Sequence, residues 1–329
     1  MQENDLTRSQ IYRKSSITFD DFESHAQKVQ EVTKLAKKVA PTDLTVLLLG
    51  ESGTGKNLLA QAIHTASRRM LEPFVVVNCA ALTDTLLESE LFGHEKGAFT
   101  GAEREKKGKF ELAGRGTLFL DEVADLSEAA QAKILRAIEY RQFERVGGEA
   151  TFSTNARFIA ASNQDLRVLV EEGKFRRDLY YRLAEFMISL VPLRERKADI
   201  PYLANKIAQE SARKMKILFN GFSVDAIEWF KSNYWTGNIR ELKNIIRVSL
   251  VLSDNGKITH SILDGIQSPE FEQDSFIPSD NDLSIQMIEK NHIVKVYSMT
   301  GGNKSETARI LGITRPTLDK KLKQYDIKI

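Results

Sequence analysis

A glycine-rich segment directly after an apolar run holds the first residues of this chain that could do chemistry. The run TVLLLG predicts a buried strand, and it continues into GESGTGKN at residues 50–57. Gly50, Gly53 and Gly55 let the backbone curl so that its N–H groups point at phosphate oxygens, and the helix predicted next adds its positive end. Lys56 can then reach the β- and γ-phosphates of a nucleotide. The segment therefore predicts a phosphate-binding loop.

Asn57 departs from the usual form of this loop, in which a serine or threonine hydroxyl follows the lysine and binds Mg²⁺. A glycine-rich turn without function is the alternative interpretation. The strand predicted before the segment and the helix predicted after it favour phosphate binding.

Two adjacent carboxylates end another apolar run, TLFLDE, sixty-five residues after Lys56. We expect Asp121 to hold a Mg²⁺ ion, directly or through water, and Glu122 to orient and polarise the attacking water. Asn163 ends the next apolar run and can hold the same water or the γ-phosphate. An ordinary loop asparagine is the alternative for Asn163.

These residues need a sheet that brings the ends of several strands together. Apolar runs predict the strands, and the amphipathic stretches between them predict helices. Strands are predicted over 45–50, 74–80, 117–122 and 156–163, and helices over 26–40, 58–70, 129–140, 199–215, 223–232 and 238–252. This alternation implies a parallel sheet with helices on both faces. The strand signals stop near residue 190, which predicts an α/β body followed by an all-helical subdomain.

The composition is that of a soluble globular protein. The chain has 329 residues, of which 42% are hydrophobic and 28% charged, and no apolar run approaches the ~20 residues of a membrane span. The polar N-terminus lacks the apolar core of a signal peptide. The single cysteine, Cys79, excludes an intramolecular disulfide and a multi-cysteine metal site, and it predicts a small buried residue. We therefore expect a cytoplasmic protein.

The net charge of +2 conceals a segregation of charge along the chain. Residues 267–282 hold five acidic residues and no basic one, whereas residues 283–329 hold nine Lys or Arg and four Asp or Glu. A polar, acidic stretch before a short basic segment predicts a linker followed by a separate module. A solvated charged tail is the alternative, but the apolar periodicity of the last segment disfavours it.

The basic segment predicts a helix-turn-helix. One helix is expected over 285–299, a second over 304–311 with Asn303 as its N-cap and Glu306 completing a capping box, and a third that begins after Thr314. Gly312 ends the second helix and Pro316 lies in the first turn of the third. Apolar Leu318, Leu322 and Tyr325 are expected to face inward, and Arg315, Lys320, Lys321 and Lys323 outward. A basic helix of this kind enters the major groove of DNA; protein binding is the alternative.

Several motifs in one order resemble the bacterial sigma-54-dependent transcriptional activators, which are enhancer-binding ATPases of the AAA+ class. The motifs are GESGTGKN, NCAAL, ELFGHEKGAFTGA, GTLFLDE, FRRDLYYRL, PLRERKADI and GNIRELKN. The match covers about residues 20–265, and GAFTGA is its most specific part. The segment GGNKSETARILGITRPTLDKKLKQYDI resembles the Fis-type DNA-binding domain that closes this family.

The resemblance implies a division of the chain. It comprises a disordered or linker arm at 1–19, an AAA+ α/β subdomain with a P-loop parallel sheet at 20–190, a helical lid at 191–265, an acidic linker at 266–282 and a helix-turn-helix domain at 283–329. The implied cofactors are ATP and Mg²⁺. The implied ATP-binding residues are Gly50, Glu51, Ser52, Gly53, Thr54, Gly55, Lys56, Asn57, Ala113, Gly114, Arg115, Gly116, Thr117, Leu118, Phe119, Leu120, Asp121 and Glu122.

The GAFTGA motif would form the tip of a surface loop that contacts sigma-54. Its residues are Gly97, Ala98, Phe99, Thr100, Gly101 and Ala102. Glycines on both sides of one exposed aromatic residue give a mobile loop with an apolar contact point. A tight turn whose phenylalanine folds inward is the alternative.

Further roles follow from the resemblance. Asn78 would pair with Glu122 as a switch that holds the glutamate inactive. Arg176 and Arg182 would reach a neighbour's ATP site as arginine fingers, which requires a ring, a hexamer or sometimes a heptamer; a surface salt bridge is the alternative for each. Arg240 would touch the γ-phosphate. The implied DNA-binding residues are Asn303, Lys304, Ser305, Thr314, Arg315, Thr317, Lys320, Lys321 and Lys323.

Two positions depart from the family pattern. Asn57 stands where the family usually has glutamate. Because the family already works without a hydroxyl at this position, we expect ATP binding to survive. Thr236 stands where proline is common.

Fewer than 20 residues precede the predicted ATPase, which is below the ~40 that an independent sensory domain needs. We expect control by a separate regulatory protein, assembly driven by concentration, or a shortened or fragmentary relative of a longer regulator.

The sequence thus predicts an ATP-driven activator that binds upstream DNA and opens promoters with sigma-54 RNA polymerase. A DNA-binding regulator that binds nucleotide without remodelling polymerase is the alternative. A helicase-like or replication-initiator ATPase is a third class, and it would not need GAFTGA.

Overall fold

The computed structural model describes most of the chain. The described residues are 17–22, 24, 26–81, 83–253, 255–266, 293, 297, 303–310 and 313–325. The chain divides into two compact units, Met1–Ile266 and Gln267–Ile329. Among the described residues, no helix combines the length and the apolar character needed to cross a membrane.

The first unit alternates strands and helices and then becomes helical. Its strands are β1 (Val46–Leu49), β2 (Phe74–Asn78), β3 (Gly93–His94), β4 (Lys106–Lys107), β5 (Thr117–Asp121), β6 (Gln142–Glu144), β7 (Thr151–Ser153), β8 (Arg157–Ser162) and β9 (Phe186–Ser189). Its helices are α1 (Gln27–Val39), α2 (Lys56–Thr65), α3 (Asp84–Phe92), α4 (Lys109–Ala113), α5 (Glu128–Glu139), α6 (Leu166–Glu171), α7 (Arg177–Leu183), α8 (Ile200–Met215), α9 (Val224–Ser232), α10 (Asn238–Leu252) and α11 (His260–Ile266).

Within the described residues, five strands form a parallel sheet in the order β2–β5–β8–β1–β9. Four of these strands were predicted, and the parallel α/β fold is confirmed. The fifth, β9, was missed because it is an edge strand of four residues whose apolar Met187 is half exposed. Within this sheet its backbone pairs with β1 alone. The pattern of apolar residues that predicts a buried strand is therefore weak over β9.

Both faces of the sheet are apolar, as the sequence requires of a sheet covered on both sides. Successive residues of a strand point to opposite faces. Leu47, Leu118, Leu120, Phe158 and Ala160 lie in one core with helices α3, α5 and α7, and Val46, Leu48, Phe119, Ile159 and Ala161 lie in another with α1 and α2. This packing fixes the carboxyl ends of β1, β5 and β8 at one edge of the sheet.

The helix after the glycine-rich segment ends earlier than predicted. Helix α2 stops at Thr65, whereas the periodicity suggested Met70. The Arg69 guanidinium donates to the carbonyl oxygens of Arg115 (2.8 Å), Gly116 (3.1 Å) and Asn155 (2.5 Å). These bonds require the chain to leave the helical path before Arg69.

The helices after β9 have a core of their own. Helices α8 to α11 pack around Trp235, Phe230, Leu242 and Ile246, all of them buried. The Trp235 indole N–H donates to the Phe230 carbonyl oxygen at 2.8 Å. This all-helical subdomain is the predicted lid.

The short strands β3 and β4 form an antiparallel hairpin outside the main sheet, and β6 pairs with β7 in another. The two hairpins meet where His94 pairs with Val146. The Arg145 side chain, on the second hairpin, donates to the carboxylates of Glu111 (3.0 and 2.9 Å) and Glu95 (3.0 Å). The segment 97–102 lies in the first hairpin and is therefore anchored at its base.

The second unit contains α12 (Lys304–Ile310) and α13 (Arg315–Gln324). Its described core residues are Ile293, Tyr297, Ala308, Leu318 and Leu322, with Tyr325 packed against them. Both predicted caps are present, since Asn303 Oδ1 accepts from Ser305 N–H (3.1 Å) and Thr314 Oγ1 from Thr317 N–H (3.4 Å). The predicted helix 285–299 and the Glu306 side chain lie outside the described residues, except that Ile293 and Tyr297 are helical.

Candidate functional site

The glycine-rich segment curls directly after β1, as predicted. Gly50, Gly53 and Gly55 all have positive φ, at 151°, 77° and 108°. Lys56 begins α2 and is only 6% exposed. Its Nζ donates to the Gly50 carbonyl oxygen at 2.7 Å, so the ammonium already lies inside the curl of the loop. The loop is thus built as an anion-binding cradle at a helix N-terminus.

Two carboxylates face this lysine across the edge of the sheet. Burial lowers the pKa of Lys56, and the charges of Glu122 and Asp121 oppose that effect. Burial raises the pKa of Asp121 and of Glu122, and Lys56 opposes the rise in both. The sheet therefore brings together one cation and two anions that are partly removed from water, an arrangement frequent at reaction sites.

Glu122 has an unusual backbone and an unpartnered oxygen. Its φ of 54° and ψ of 51° are left-handed, a conformation that costs a residue with a side chain roughly 1 kcal/mol or more. Among the described residues, its Oε2 is buried without a hydrogen-bond partner. The backbone of Asn163 helps to lower the pKa of this carboxyl, which places Asn163 beside Glu122. A buried carboxylate oxygen without a donor suits a water molecule that is to be polarised.

The residues at this edge fit a magnesium ion. Mg²⁺ takes oxygen ligands and is usually bound by one or two carboxylates together with substrate phosphates and water. Asp121 supplies such a carboxylate at the end of β5, and the next residue, Glu122, has its Oε2 buried without a hydrogen-bond donor among the described residues. Asn57 does not compete for this role, because its Oδ1 accepts from Gln61 Nε2 at 2.6 Å along the exposed side of α2.

Asn78 ends β2 next to Asp121, its partner in the register of the parallel strands. Its Oδ1 accepts from the Ala80 N–H at 3.0 Å. A pairing of Asn78 with Glu122 stays a prediction.

The lid meets the loop at Arg240, which was predicted, and at two residues that sequence reasoning did not single out. Arg240 Nη1 donates to Ser52 Oγ at 2.6 Å, so the one lid residue that was predicted does lie at the loop. Glu51 directs its carboxylate to Arg194 (2.6 and 2.5 Å) and to Asn238 (3.1 Å). Arg194 lies in the motif PLRERKADI and Asn238 in the motif GNIRELKN. Their positions in these motifs could have identified them as candidate site residues.

Part of the predicted ATP-binding set lies away from Lys56 in the fold. Residues 113–117 precede β5 or begin it, and therefore lie at the opposite edge of the sheet from Lys56. The strand separates them from Asp121 by ~13 Å at about 3.3 Å per residue. Leu118, Phe119 and Leu120 are 0% exposed inside the two cores. The residues that the structure does not bring to Lys56 are Ala113, Gly114, Arg115, Gly116, Thr117, Leu118, Phe119 and Leu120, and their role in ATP binding stays a prediction.

The two predicted arginine fingers form ion pairs within the chain. Arg176 Nη2 lies 2.7 Å from Asp178 Oδ2, and Arg182 Nη2 lies 2.6 Å from Glu139 Oε1. Both guanidinium groups are substantially exposed. The structure therefore brings neither arginine to Lys56 of its own chain.

The segment 97–102 forms a compact loop at the tip of the first hairpin. Gly97 N–H donates to Ala102 O (2.8 Å), and Ala102 N–H donates to Phe99 O (2.9 Å). Phe99, predicted to be exposed, lies between that prediction and its inward-folded alternative, because its ring is half-buried and packs edge-on against His94 with 5.0 Å between centroids. Thr100 and Gly101 are exposed. The loop thus holds its aromatic residue against its own base.

His94 was missed by sequence reasoning although it lies in the same motif. Its Nε2 lies 3.0 Å from the Arg104 carbonyl oxygen, and its Nδ1 lies 2.7 Å from Ser89 Oγ. Because a carbonyl oxygen only accepts, Nε2 carries the proton and Nδ1 accepts from Ser89 in the neutral ring. Both ring nitrogens are therefore used to hold the ring that contacts Phe99.

In the second unit, the exposed side of α13 is basic. Arg315 and Lys320 are exposed, and Thr317 and Lys321 are half-buried. Lys304 forms an ion pair with Asp319 at 2.8 Å. Asn303, Ser305 and Thr314 lie at the helix N-termini, and the side chain of Lys323 lies outside the described residues.

A phosphate-binding loop after the inner strand β1, an acidic pair at the end of β5, two positions away in the same parallel sheet, and a helical lid over the loop define a P-loop protein of the AAA+ class. The chain belongs to the family of bacterial regulators with a sigma-54 interaction domain. The sequence model of that domain matches residues 22–189, that of the AAA+ ATPase lid domain matches 194–273, and that of the Fis family of bacterial regulatory proteins matches 284–325.

Relatives of known name include regulators longer than this sequence. The Nif-specific regulatory protein of Azotobacter vinelandii is 45% identical over 296 residues, which are 88% of this chain and 56% of that protein. The transcriptional regulatory protein ZraR of Klebsiella oxytoca is 46% identical over 284 residues, 86% of this chain and 64% of that protein. The chain therefore spans less than two thirds of the length of these relatives.

Solved structures agree with the fold. NtrX from Brucella abortus, in complex with ATP, is 31% identical with a TM-score of 0.71, covering 99% of this chain and 73% of that one. The Holliday junction branch migration motor RuvB of Thermotoga maritima is 15% identical with a TM-score of 0.51, covering 94% and 91%. The likeness to RuvB concerns the fold alone.

Proposed function

We propose that this protein is an ATP-driven transcriptional activator that binds DNA through residues 283–329 and opens promoters with sigma-54 RNA polymerase. The observation that carries the proposal is that one compact unit holds both the Lys56 site and the glycine-flanked loop 97–102. The two lie on the same body, so a change at the first can be transmitted to the second. Membership of the sigma-54 interaction family supports this pairing.

In this proposal the edge of the sheet hydrolyses ATP. Lys56 contacts the β- and γ-phosphates, and Asp121 would hold Mg²⁺, which would supply positive charge beside the phosphates. Glu122 orients the attacking water and polarises it with its Oε2, while Asn163 holds the same water or the γ-phosphate. NtrX, solved with ATP and with ADP, supports nucleotide binding at this fold.

The site is completed by a neighbouring subunit in a ring, which we propose to be a hexamer. Arg176 and Arg182 leave their partners Asp178 and Glu139 and reach the neighbour's γ-phosphate. Exposed ion pairs contribute only about 0–1 kcal/mol, so this exchange of partners is cheap. Removal of either arginine would then lower turnover in the assembled ring without altering the isolated subunit.

The loop 97–102 is proposed to contact sigma-54 and to change its conformation when ATP is hydrolysed. Phe99 packs against His94 rather than against the main core, and its release exposes an aromatic contact at the loop tip. Asn78, whose register partner is Asp121, is proposed to pair with Glu122 in one nucleotide state and to leave it free in another. The hairpin contacts of Arg145 then carry the change outward.

The C-terminal unit is proposed to bind upstream double-stranded DNA. Helix α13 enters the major groove, and Arg315 and Lys320 contact phosphates or base edges. Lys304, Lys321, Lys323, Asn303, Ser305, Thr314 and Thr317 are the other proposed contacts. These partners place the protein in the cytoplasm with the polymerase, where a separate regulatory protein can control it.

The proposal is tested by promoter opening. Purified protein, sigma-54 holoenzyme, a promoter with the upstream site and ATP are combined, and unpaired bases are detected by permanganate reactivity. We expect opening that requires hydrolysable ATP. ATP hydrolysis without opening under any condition would favour the alternative, a nucleotide-binding DNA regulator that does not remodel polymerase.

A further inference from the structure

The Glu51 side chain extends from the phosphate-binding loop to residues of the lid. Its two carboxylate oxygens accept from Arg194 Nη1 and Nη2 at 2.6 and 2.5 Å, a bidentate pair. Such a fork fixes orientation as well as distance. The Arg194 hydrogen bond is the main cause that lowers the pKa of Glu51, so the pair is ionised. The Arg194 guanidinium also lies over the ring of Tyr234, with its central carbon 5.0 Å from the ring centroid.

Asn238 ties the same carboxylate to the start of α10. It is fully buried and has a φ of 53°, a left-handed conformation that is uncommon for a residue with a side chain. Its Nδ2 donates to Glu51 Oε2 (3.1 Å) and to Ser52 O (3.0 Å), and its Oδ1 accepts from Leu193 N–H (2.8 Å). One amide therefore joins the loop, the residue before Arg194 and the lid helix.

The backbones approach each other closely at the same place. Ile239 N–H donates to Gly53 O at 3.1 Å. A Cβ atom on Gly53 would lie 2.3 Å from the Gly237 carbonyl oxygen, so only glycine fits there. The backbone at the start of α10 is therefore in direct contact with the backbone of the phosphate-binding loop.

We propose that Glu51, Arg194 and Asn238 form a latch that positions Arg240 at the γ-phosphate. Arg240 lies two residues after Asn238 on α10, and its guanidinium donates to Ser52 Oγ at 2.6 Å. The latch fixes the start of α10 relative to the loop, so the direction of the Arg240 side chain depends on it. The three are positioning residues that act through Arg240, and the inference rests on the proposed ATP hydrolysis.

The test compares Glu51→Gln with Glu195→Gln. Glu51→Gln removes the charge but keeps the shape, whereas Glu195, next to Arg194, pairs with Lys28 on the surface and serves as the matched control. We expect kcat for ATP to fall about tenfold in Glu51→Gln, within the ordinary range of coupling effects, with the melting temperature nearly unchanged. Glu195→Gln should keep wild-type kcat. Arg194→Lys, which keeps the charge and loses the fork, should fall between wild type and Glu51→Gln and repeats the test from the lid side.

The decisive measurement is the double variant Glu51→Gln with Arg240→Ala. A latch that works through Arg240 predicts that the double variant loses no more kcat than Arg240→Ala alone. Multiplied losses, or wild-type kcat in Glu51→Gln, would overturn the latch and leave the proposed function intact. Wild-type turnover in Arg240→Ala would overturn both the latch and the proposed role of Arg240.

Discussion

The nucleotide edge of the sheet and the loop 97–102 are held by different kinds of interaction. At the edge, Lys56 faces Asp121 and Glu122, and all three side chains are partly removed from water. The positive charge of Lys56 and the negative charges of the two carboxylates favour one another's ionised forms. In the loop, Phe99 is held by the hydrogen bond from Ala102 N–H to its carbonyl oxygen and by the contact of its ring with His94, and Thr100 and Gly101 are exposed. Strong opposed charges fix a geometry, whereas neutral contacts of this size can be broken and remade at a cost of a few kcal/mol or less.

The difference suits the two tasks. A hydrolytic site gains from preorganised charges that do not rearrange during the reaction. A contact loop that must change its exposed surface benefits from a single resting conformation that is only weakly stabilised. A substitution at one of these two regions should therefore alter the function of that region and leave the other unchanged.

The largest effect is expected from Glu122→Gln. The amide keeps the shape but cannot polarise water as a carboxylate does, so turnover should fall about 10²- to 10⁴-fold. ATP binding should persist, because Lys56 and the glycine-rich loop are unchanged. Steady-state hydrolysis and equilibrium binding of a fluorescent ATP analogue measure the two quantities.

The control for this change is Glu128→Gln, which removes an exposed carboxylate at the start of α5. It should leave turnover at the wild-type level. Unchanged turnover in Glu122→Gln would remove Glu122 from the proposed chemistry.

A smaller effect, confined to the other side of the contrast, is expected from Phe99→Ala. Truncating an aromatic contact residue commonly costs about 2 kcal/mol, or roughly 30-fold. Promoter opening should fall by that order while ATP turnover stays within twofold of wild type. Leu86→Ala, which removes a half-exposed apolar side chain of α3, is the matched control and should open promoters normally. A parallel loss of turnover in Phe99→Ala would show that the loop and the site are not separable.

The smallest effect concerns stability. Burial raises the pKa of Glu122, so the folded state binds its proton more tightly than the unfolded chain does. Stability is therefore lost as the pH rises from the ordinary carboxyl value of about 4.3 through the raised one. Glu122→Gln removes this cost and should raise the melting temperature by about 2 °C at pH 8, with a smaller gain at pH 5. Differential scanning fluorimetry at both pH values checks it; an equal gain at the two would contradict the assigned cause.

The α/β body, the lid and the helix-turn-helix followed from apolar periodicity and capping residues, because those patterns depend on local burial. The position of the glycine-rich loop and of Asp121 and Glu122 followed from the rule that parallel strands end at one edge. The edge strand β9 did not, since it has only three apolar residues and one of them, Met187, is half exposed.

Contacts between distant segments could not be predicted. Glu51 looked like a ligand of the nucleotide because it lies in the loop, and its direction is set by Arg194, 143 residues away. Phe99 looked exposed because glycines flank it, and its position is set by the His94 ring. Neither pairing leaves a periodic signal, so only the folded chain reveals it.

The burial of Cys79 has a practical consequence. Its thiol is 2% exposed, and burial raises its pKa to about 12. At pH 8 only about one molecule in ten thousand carries the reactive thiolate at this position. A cysteine introduced at Thr100, or at an exposed position of the lid, would therefore react with maleimide dyes or spin labels almost alone, and the native sequence needs no prior substitution for such labelling.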